Sequence, residues 1–300
     1  MRLTQRSILK ISSLLCALAL IGSTSRAQDP FQDAIKQLSS DKVTGYLQPF
    51  VNGMGANLNS GFFNTARIEE TGLHMQLRFV AMGTLLGDAE KTYGALPPQP
   101  FPQANVQTAT LFGGAGATVD GPSELQYQFQ SGEVNTSMIP LGAPELTIGN
   151  VFGTQASVRY VPIGPIGDFP KTTLFGIGVR HSISRYLPEF PADLAAGISY
   201  DKVTVGDIID AHGLGFGAQI SKSFSMLTVY GGLQYESSSL TVNYTYTGST
   251  PHSAVSLDID GENKFRATGG LTLDLVILRL NADINFGKVT AVSGGVGFGM

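Results

Sequence analysis

The sequence predicts an all-β fold: an antiparallel transmembrane β-barrel of about 12–14 strands with a short N-terminal helix. Three observations carry that prediction. In FRATGGLTLDLVILRLNADINFG, residues 265 to 287, Phe265, Ala267, Leu271, Leu273 and Leu275 alternate with Arg266, Thr268, Thr272 and Asp274. After Val276-Ile277 the pattern resumes, with Leu278, Leu280, Ala282, Ile284 and Phe286 set against Arg279, Asn281, Asp283 and Asn285. One face is apolar and the other polar, the period of a half-buried strand. Second, charged residues make up only 14% of the chain, against about 25% in soluble domains. Third, 37 of the 300 residues are glycine, well above the usual share of about 7%.

The elements follow in order. Arg2, Arg6 and Lys10 precede an apolar run from Ile11 to Ile21, and Ser25-Arg26-Ala27 offers a small-x-small cleavage site, so residues 1–27 read as a secretory signal peptide. The run is shorter than the roughly 20 residues of a membrane-spanning helix. Cys16, the only cysteine, lies inside it, so the exported chain carries no disulfide framework. Removing the segment removes Arg2, Arg6, Lys10 and Arg26 and takes the net charge from −4 to −8. That balance argues against a nucleic-acid partner, which calls for a basic patch.

Residues 28–45 hold the one helical pattern, with Phe31, Ile35 and Leu38 on one face, Asp29 as N-cap and Pro30 at the first helical position. This is the N-terminal helical arm or plug. From Tyr46 to residue 300 the period is two. Leu73, Met75, Leu77 and Phe79 form one such run; Phe175, Ile177 and Val179 a second; Leu194, Ala196, Ile198 and Tyr200 a third. Leu227, Val229, Leu233 and Tyr235 form another, and Leu240, Val242, Tyr244 and Tyr246 the next. Asp260-Gly261 and Gly287-Lys288 read as hairpin turns, and a shift of parity places a further turn at Val276-Ile277. Residues 84–150 read as long loops holding strands near 105–119 and 124–133, because PPQPFP at 97–102 cannot sit inside a sheet. The 46–300 stretch, at about 20 residues per strand and connection, yields the strand number given above.

An apolar sheet face must be covered, and no further amphipathic helix is available to cover it. A soluble β-sandwich is the alternative, but its outer shell would carry more Lys and Glu than this chain has. A closed barrel in lipid accounts for both faces: Leu, Val, Ile and Phe meet lipid, and the polar set meets a wet lumen. Val292, Val296, Phe298 and Met300 share one parity, giving a final strand of the kind that barrels present to their assembly machinery. Tyr46, Tyr160, Tyr200, Tyr235 and Tyr246 lie near strand ends, as interfacial girdles require.

YLQPFVNGMGANLNSGFFNTA (46–66), GTQASVRYVP (153–162) and FGIGVRHSISRYLPEFPADLAAGISY (175–200) resemble a family of outer-membrane barrels classed only as a domain of unknown function. More distantly the layout is similar to the long-chain fatty-acid transporters. That second resemblance implies an N-terminal plug and a small hydrophobic cargo.

No catalytic, cofactor or metal site is expected, and the chain does not read as an enzyme. His74, His181, His212 and His252 lack metal-ligand spacing. Ser182 and Ser184 take the parity opposite to His181 and form no nucleophile elbow. The lumen-lining candidates are His74, Arg78, Arg159, Arg180, Glu236, Arg266, Asp274 and Asp283. Such charges either pair across a narrow lumen and lock it or set the field of a pore. The expected setting is the bacterial outer membrane, with the lipid bilayer and the barrel-assembly machinery as partners. The leading functional expectation is passive passage of small hydrophobic molecules. The rival is a non-conducting structural or partner-binding barrel acting through its long loops.

Overall fold

The computed structural model describes residues 35, 38, 40–68, 74–165, 170–246 and 253–299. The signal-peptide reading, Cys16, the Asp29-Pro30 cap, Phe31, Leu73, His252 and Met300 lie outside them. Helix α1 (Ser40–Leu58) comes first. The wall opens with β1 (His74–Leu85), and four short strands follow: β2 (Thr92–Ala95), β3 (Val106–Ala109), β4 (Thr118–Asp120) and β5 (Gln126–Gln128). Next come β6 (Met138–Val151), β7 (Thr154–Ile163), β8 (Thr172–Ser182), β9 (Asp193–Val205) and β10 (Ile209–Phe224). The chain ends with β11 (Leu227–Tyr246), β12 (Ser253–Asp260), β13 (Phe265–Leu275), β14 (Leu278–Phe286) and β15 (Ala291–Gly299).

Ten of these strands close a ring, all antiparallel: β1, β6, β7, β8, β9, β10, β11, β13, β14, β15 and back to β1. The ring is smaller than the 12–14 strands expected. The reason lies in β11, which runs 20 residues without a break, where the sequence pattern reads as two strands. Its apolar parity inverts along the way. Leu227, Val229, Leu233 and Tyr235 point outward, whereas Leu240, Val242 and Tyr244 point inward and are buried. The lower stretch covers about 30 Å of strand, or roughly 23 Å of height at a tilt of about 40°, close to the apolar band of a membrane barrel. Above it the wall continues beyond the lipid, greasy inside and polar outside. The same inversion separates Leu146 and Ile148, exposed on β6, from Ile139 and Leu141, buried on the same strand.

β6 also corrects the reading of 84–150 as long loops with strands only near 105–119 and 124–133, since Met138–Val151 is a strand of the wall. Pro140 and Pro144 sit in the part of β6 that pairs with β1, before its pairing with β7 begins at Glu145. A proline without an N–H to donate is tolerated on such an unpaired edge. Asp260-Gly261 is likewise not a hairpin. β12 and β13 both pair with β11, along successive stretches of one edge, so the residues between them make a jog. Gly287-Lys288 does join a paired β14 and β15. So does Val276-Ile277 between β13 and β14, with Val276 at φ 55°, an unfavourable conformation for a β-branched residue.

The two ends of the barrel differ. His74 and Gly299 lie at one end, with tight connections at Phe152-Gly153, Ser225-Met226 and Val276-Ile277. The other end carries the long connection 86–137 and the tall β11–β12 pair. These are called the turn end and the loop end below.

α1 lies inside the ring rather than before it. Val43, Leu47, Val51, Met54 and Leu58 follow helical spacing and are all buried. Tyr46, expected in an interfacial girdle, is fully buried on this helix, so the barrel proper starts at His74 and not at residue 46. Pro49 and three glycines make the helix hard to read, since both residue types disfavour helix interiors. The glycines serve close packing. A Cβ on Gly53 would meet the Ile139 side chain, and one on Gly55 would meet Ser238.

A closed ten-strand ring in detergent should resist SDS at room temperature. Boiled and unboiled samples should run at different mobilities on a gel, and equal mobilities would be incompatible with a closed wall.

Candidate functional site in the lumen

Below the helix the chain continues through the lumen as irregular backbone, from Asn59 to Ile68. Gly61, at φ +77°, makes the bend, and a side chain there would collide with Val80. Room for this segment comes from wall glycines: a Cβ on Gly213 would press on Leu58 and Asn59, and one on Gly178 on Phe62. Part of the high glycine content thus has a local cause, the fit of the plug against the inner wall, while Gly176 beside Asp201, Gly270 beside Tyr230 and Gly295 beside Asn281 make room for wall side chains.

Polar wall residues hold the plug by its main chain. Thr84 Oγ1 donates to Gly53 O at 2.8 Å, Arg266 Nη2 to Ala56 O at 2.8 Å and Gln234 Nε2 to Asn59 O at 3.2 Å. Arg159 Nη1 donates to Ser60 O at 3.1 Å and Arg78 Nη2 to Gly61 O at 2.5 Å. Thr272 Oγ1 reaches Asn64 O at 2.5 Å, and Arg180 Nη1 reaches Thr65 O at 2.8 Å. The last carbonyls of a helix lack intrahelical partners and carry its negative dipole end. Arg266 meets one of them at Ala56 O, and Arg159 and Arg78 take the carbonyls just beyond the helix, at Ser60 and Gly61.

Those arginines are themselves fixed by carboxylates. Glu145 bridges Arg78 at 2.6 Å and Arg159 at 2.9 Å, and Arg159 also pairs with Asp201 at 2.8 Å. Arg266 pairs with Glu236 at 2.9 Å. None of these side chains is more than 3% exposed. The Arg159 guanidinium also lies over Phe62 of the plug, with Cζ 3.6 Å from the ring centre.

The sequence candidates therefore divide. Arg78, Arg159, Arg180, Glu236 and Arg266 meet around the plug. Asp283 is buried beside this cluster, accepting from Tyr230 Oη at 2.8 Å, Asn285 Nδ2 at 2.6 Å and Ser293, and Asn281 links that Tyr230 hydroxyl to Arg78. His74 opens β1 at the turn end and is half-buried. Asp274 pairs with Arg279 beside the β13–β14 turn, half-exposed, so it belongs to the mouth and not to the central cluster. The candidate set lacks two members of the network. Glu145 lies in the stretch read as loop, whereas Asp201 shares the parity of Ser199 and is legible as lumen-facing.

The loop end closes over the start of α1. Lys42 Nζ bonds Tyr127 Oη at 2.9 Å and stands 4.7 Å from that ring's centre and 5.5 Å from that of Phe129. Leu111 N donates to Tyr46 O at 3.0 Å, and Tyr93 Oη donates to Lys42 O at 3.3 Å. Burial pushes the Tyr93 phenol up to about 12, so it stays a donor at physiological pH. The space between Asn59, Phe63, Gln234 and Asp283 leaves no room for a water molecule. A cleft of about 360 Å³ opens at the turn end, bordered by Arg67, Phe190, Asp193 and Lys222. Among the described residues no group of three or more His, Cys, Asp or Glu could hold a metal ion. His181 faces outward and contacts Thr154 Oγ1 at 2.9 Å and Tyr186 Oη at 3.0 Å.

Arg159→Ala would leave Glu145 with one partner and strip Asp201 of its ion pair. Breaking a buried pair from one side costs about 3–5 kcal/mol, so urea unfolding followed by circular dichroism should show a loss of that order. Adding Asp201→Asn should recover part of it; no recovery would mean that the carboxylate is not left charged and unpaired.

Several solved structures are similar to this chain. The translocator domain of the autotransporter NalP from Neisseria meningitidis matches 76% of this chain and 88% of its own, at 14% identity and a TM-score of 0.30. The transport unit of the autotransporter AIDA-I from Escherichia coli matches 83% and 98%, at 10% identity and a TM-score of 0.26. OmpT, an outer membrane protein of Vibrio cholerae, matches 76% and 98%, at 12% identity and a TM-score of 0.24. None of these three is a fatty-acid transporter, and that distant likeness stays an expectation. No curated protein matches the chain. A family model does, over residues 5–300, and the chain belongs to that family, DUF6588, a family of unknown function.

Proposed function

We propose that this protein is an outer-membrane barrel held shut by its own N-terminal segment, non-conducting at rest. The observation that carries this reading is the main-chain grip: seven wall side chains donate to carbonyls between Gly53 and Thr65. An open pore would have water on those donors. Here the lumen is occupied at lipid height by residues 59–68 and above it by α1. The long connection 86–137 adds a cover by packing Tyr93, Leu111 and Tyr127 on the first turns of the helix. This favours the non-conducting barrel over passive passage.

One observation keeps a second reading alive. The loop-side half of the lumen is lined by Val80, Met82, Leu141, Leu174, Val203 and Leu240, all buried against α1. A displaced helix would uncover an apolar chamber suited to small hydrophobic molecules, the cargo expected from the sequence. In that reading the plug is the gate.

Planar-bilayer recording separates the readings. The purified wild-type chain should give no steady ionic current, and the triple variant Arg78→Ala, Arg159→Ala, Arg266→Ala should give intermittent openings. A steady wild-type current would sink the proposal. A quiet wild type that nevertheless takes up an apolar fluorophore into the barrel would favour the gated chamber.

A further inference from the structure

The chain crosses the lumen in a definite direction. Ile35 and Leu38 are buried at the loop end, where Tyr244 Oη donates to Leu38 O at 3.4 Å. Lys42 and Tyr46 lie under the cover of residues 86–137. Leu58 and Asn59 stand at the level of Gly213 and Ser237. Ala66 N then donates to Ser221 Oγ at 2.9 Å, and Ile68 packs with Ala195, both near the turn end. β1 starts at that same end and runs back up. Residues 59–68, at lipid height, can reach up to about 33 Å, enough to pass a hydrocarbon core of about 30 Å, and the helix adds about 28 Å of rise above it.

We infer that the lumen carries the chain's own N-terminal segment through the membrane, so that whatever precedes Ile35 emerges on the loop face, opposite the face where the barrel strands begin and end. This rests on the plugged reading above and names the plug's second role, as a membrane-crossing stalk. A second observation supports it independently. The wall binds main-chain carbonyls from Ala56 down to Asn64, so the crossing segment is held at successive levels along its whole path and in one register. Wall glycines at 178 and 213 seat Phe62, Leu58 and Asn59 of the crossing segment closely. A path that holds a polypeptide by its main chain at successive levels suits a chain arrested in one position across the membrane. In outer-membrane barrels the long loops face the exterior and the short turns the periplasm, so the segment before Ile35 belongs at the cell surface.

The test uses the full chain in cells, with Cys16→Ser as background. Leu125→Cys reports the loop face and Ser225→Cys the turn face, both exposed. A site-specific protease sequence inserted between Gln32 and Asp33 reports the segment before the helix. A membrane-impermeant maleimide should label Leu125→Cys on intact cells and Ser225→Cys only after permeabilisation. Added protease should cut intact cells carrying the insertion, and the product should keep its heat-shifted band. Cleavage only after permeabilisation, together with Ser225→Cys, would overturn the inference, as would no cleavage on either side. If the insertion prevents folding, single-cysteine Asp33→Cys gives the same readout by labelling, and an Asp33→Cys that labels on neither face counts against the inference. A conducting wild type would sink the plugged reading alone, because the face of each reporter is measured without reference to current.

Discussion

Lipid offers a main-chain carbonyl or amide no partner, and backbone packed inside the barrel must likewise find one in the protein. The wall meets that requirement by closing on itself. The irregular stretch after α1 cannot, since it has neither helix nor ladder of its own. Arg78, Arg159, Arg180, Thr272 and Gln234 supply what it lacks. Arginine suits the task because a guanidinium holds several donors in one rigid fork, able to meet a carboxylate and a carbonyl together. Arg159 does so, binding Glu145, Asp201 and Ser60 O at once. A buried ion pair of this kind adds little net stability against an apolar alternative, but it fixes where each partner must lie. The network therefore sets the plug's register more than its depth of burial does.

The lumen has two halves with opposite chemistry. At lipid height the inside is polar and the outside apolar; above it the order reverses, and α1 packs against Val80, Leu141, Leu240 and Val242 as it would in a water-soluble core. One chain thus builds two kinds of interior on the same strands. The apolar half holds the helix by the hydrophobic effect, which is strong and undirected. The polar half holds the following segment by directed bonds. Neither half would suffice alone, since Pro49, Gly45, Gly53 and Gly55 make the helix a poor one in isolation.

Much of this is legible in the sequence. Alternation in 265–286 locates β13 and β14 and even their unpromising turn, because lipid outside and water inside impose the period of two at every residue. Arg78, Arg159, Arg180, Glu236 and Arg266 emerge from that same parity. Glu145 is hidden by Pro140 and Pro144, whose lost hydrogen bonds fall on an unpaired edge that no sequence displays. The helix is hidden by its glycines, whose value lies in a wall distant along the chain. The strand number comes out too high because a parity inversion resembles a turn. In β11 it marks instead the height at which lipid gives way to water.

Plug and wall are also one molecule. Only residues 69–73 separate Ile68 from the first strand, so a displaced plug remains tethered beside its own binding site. A short tether keeps a ligand at an effective concentration in the millimolar range. Resealing is therefore a first-order event, indifferent to how many copies the membrane holds and impossible to dilute away. Whatever force or partner opens this barrel must keep acting for as long as it is to stay open.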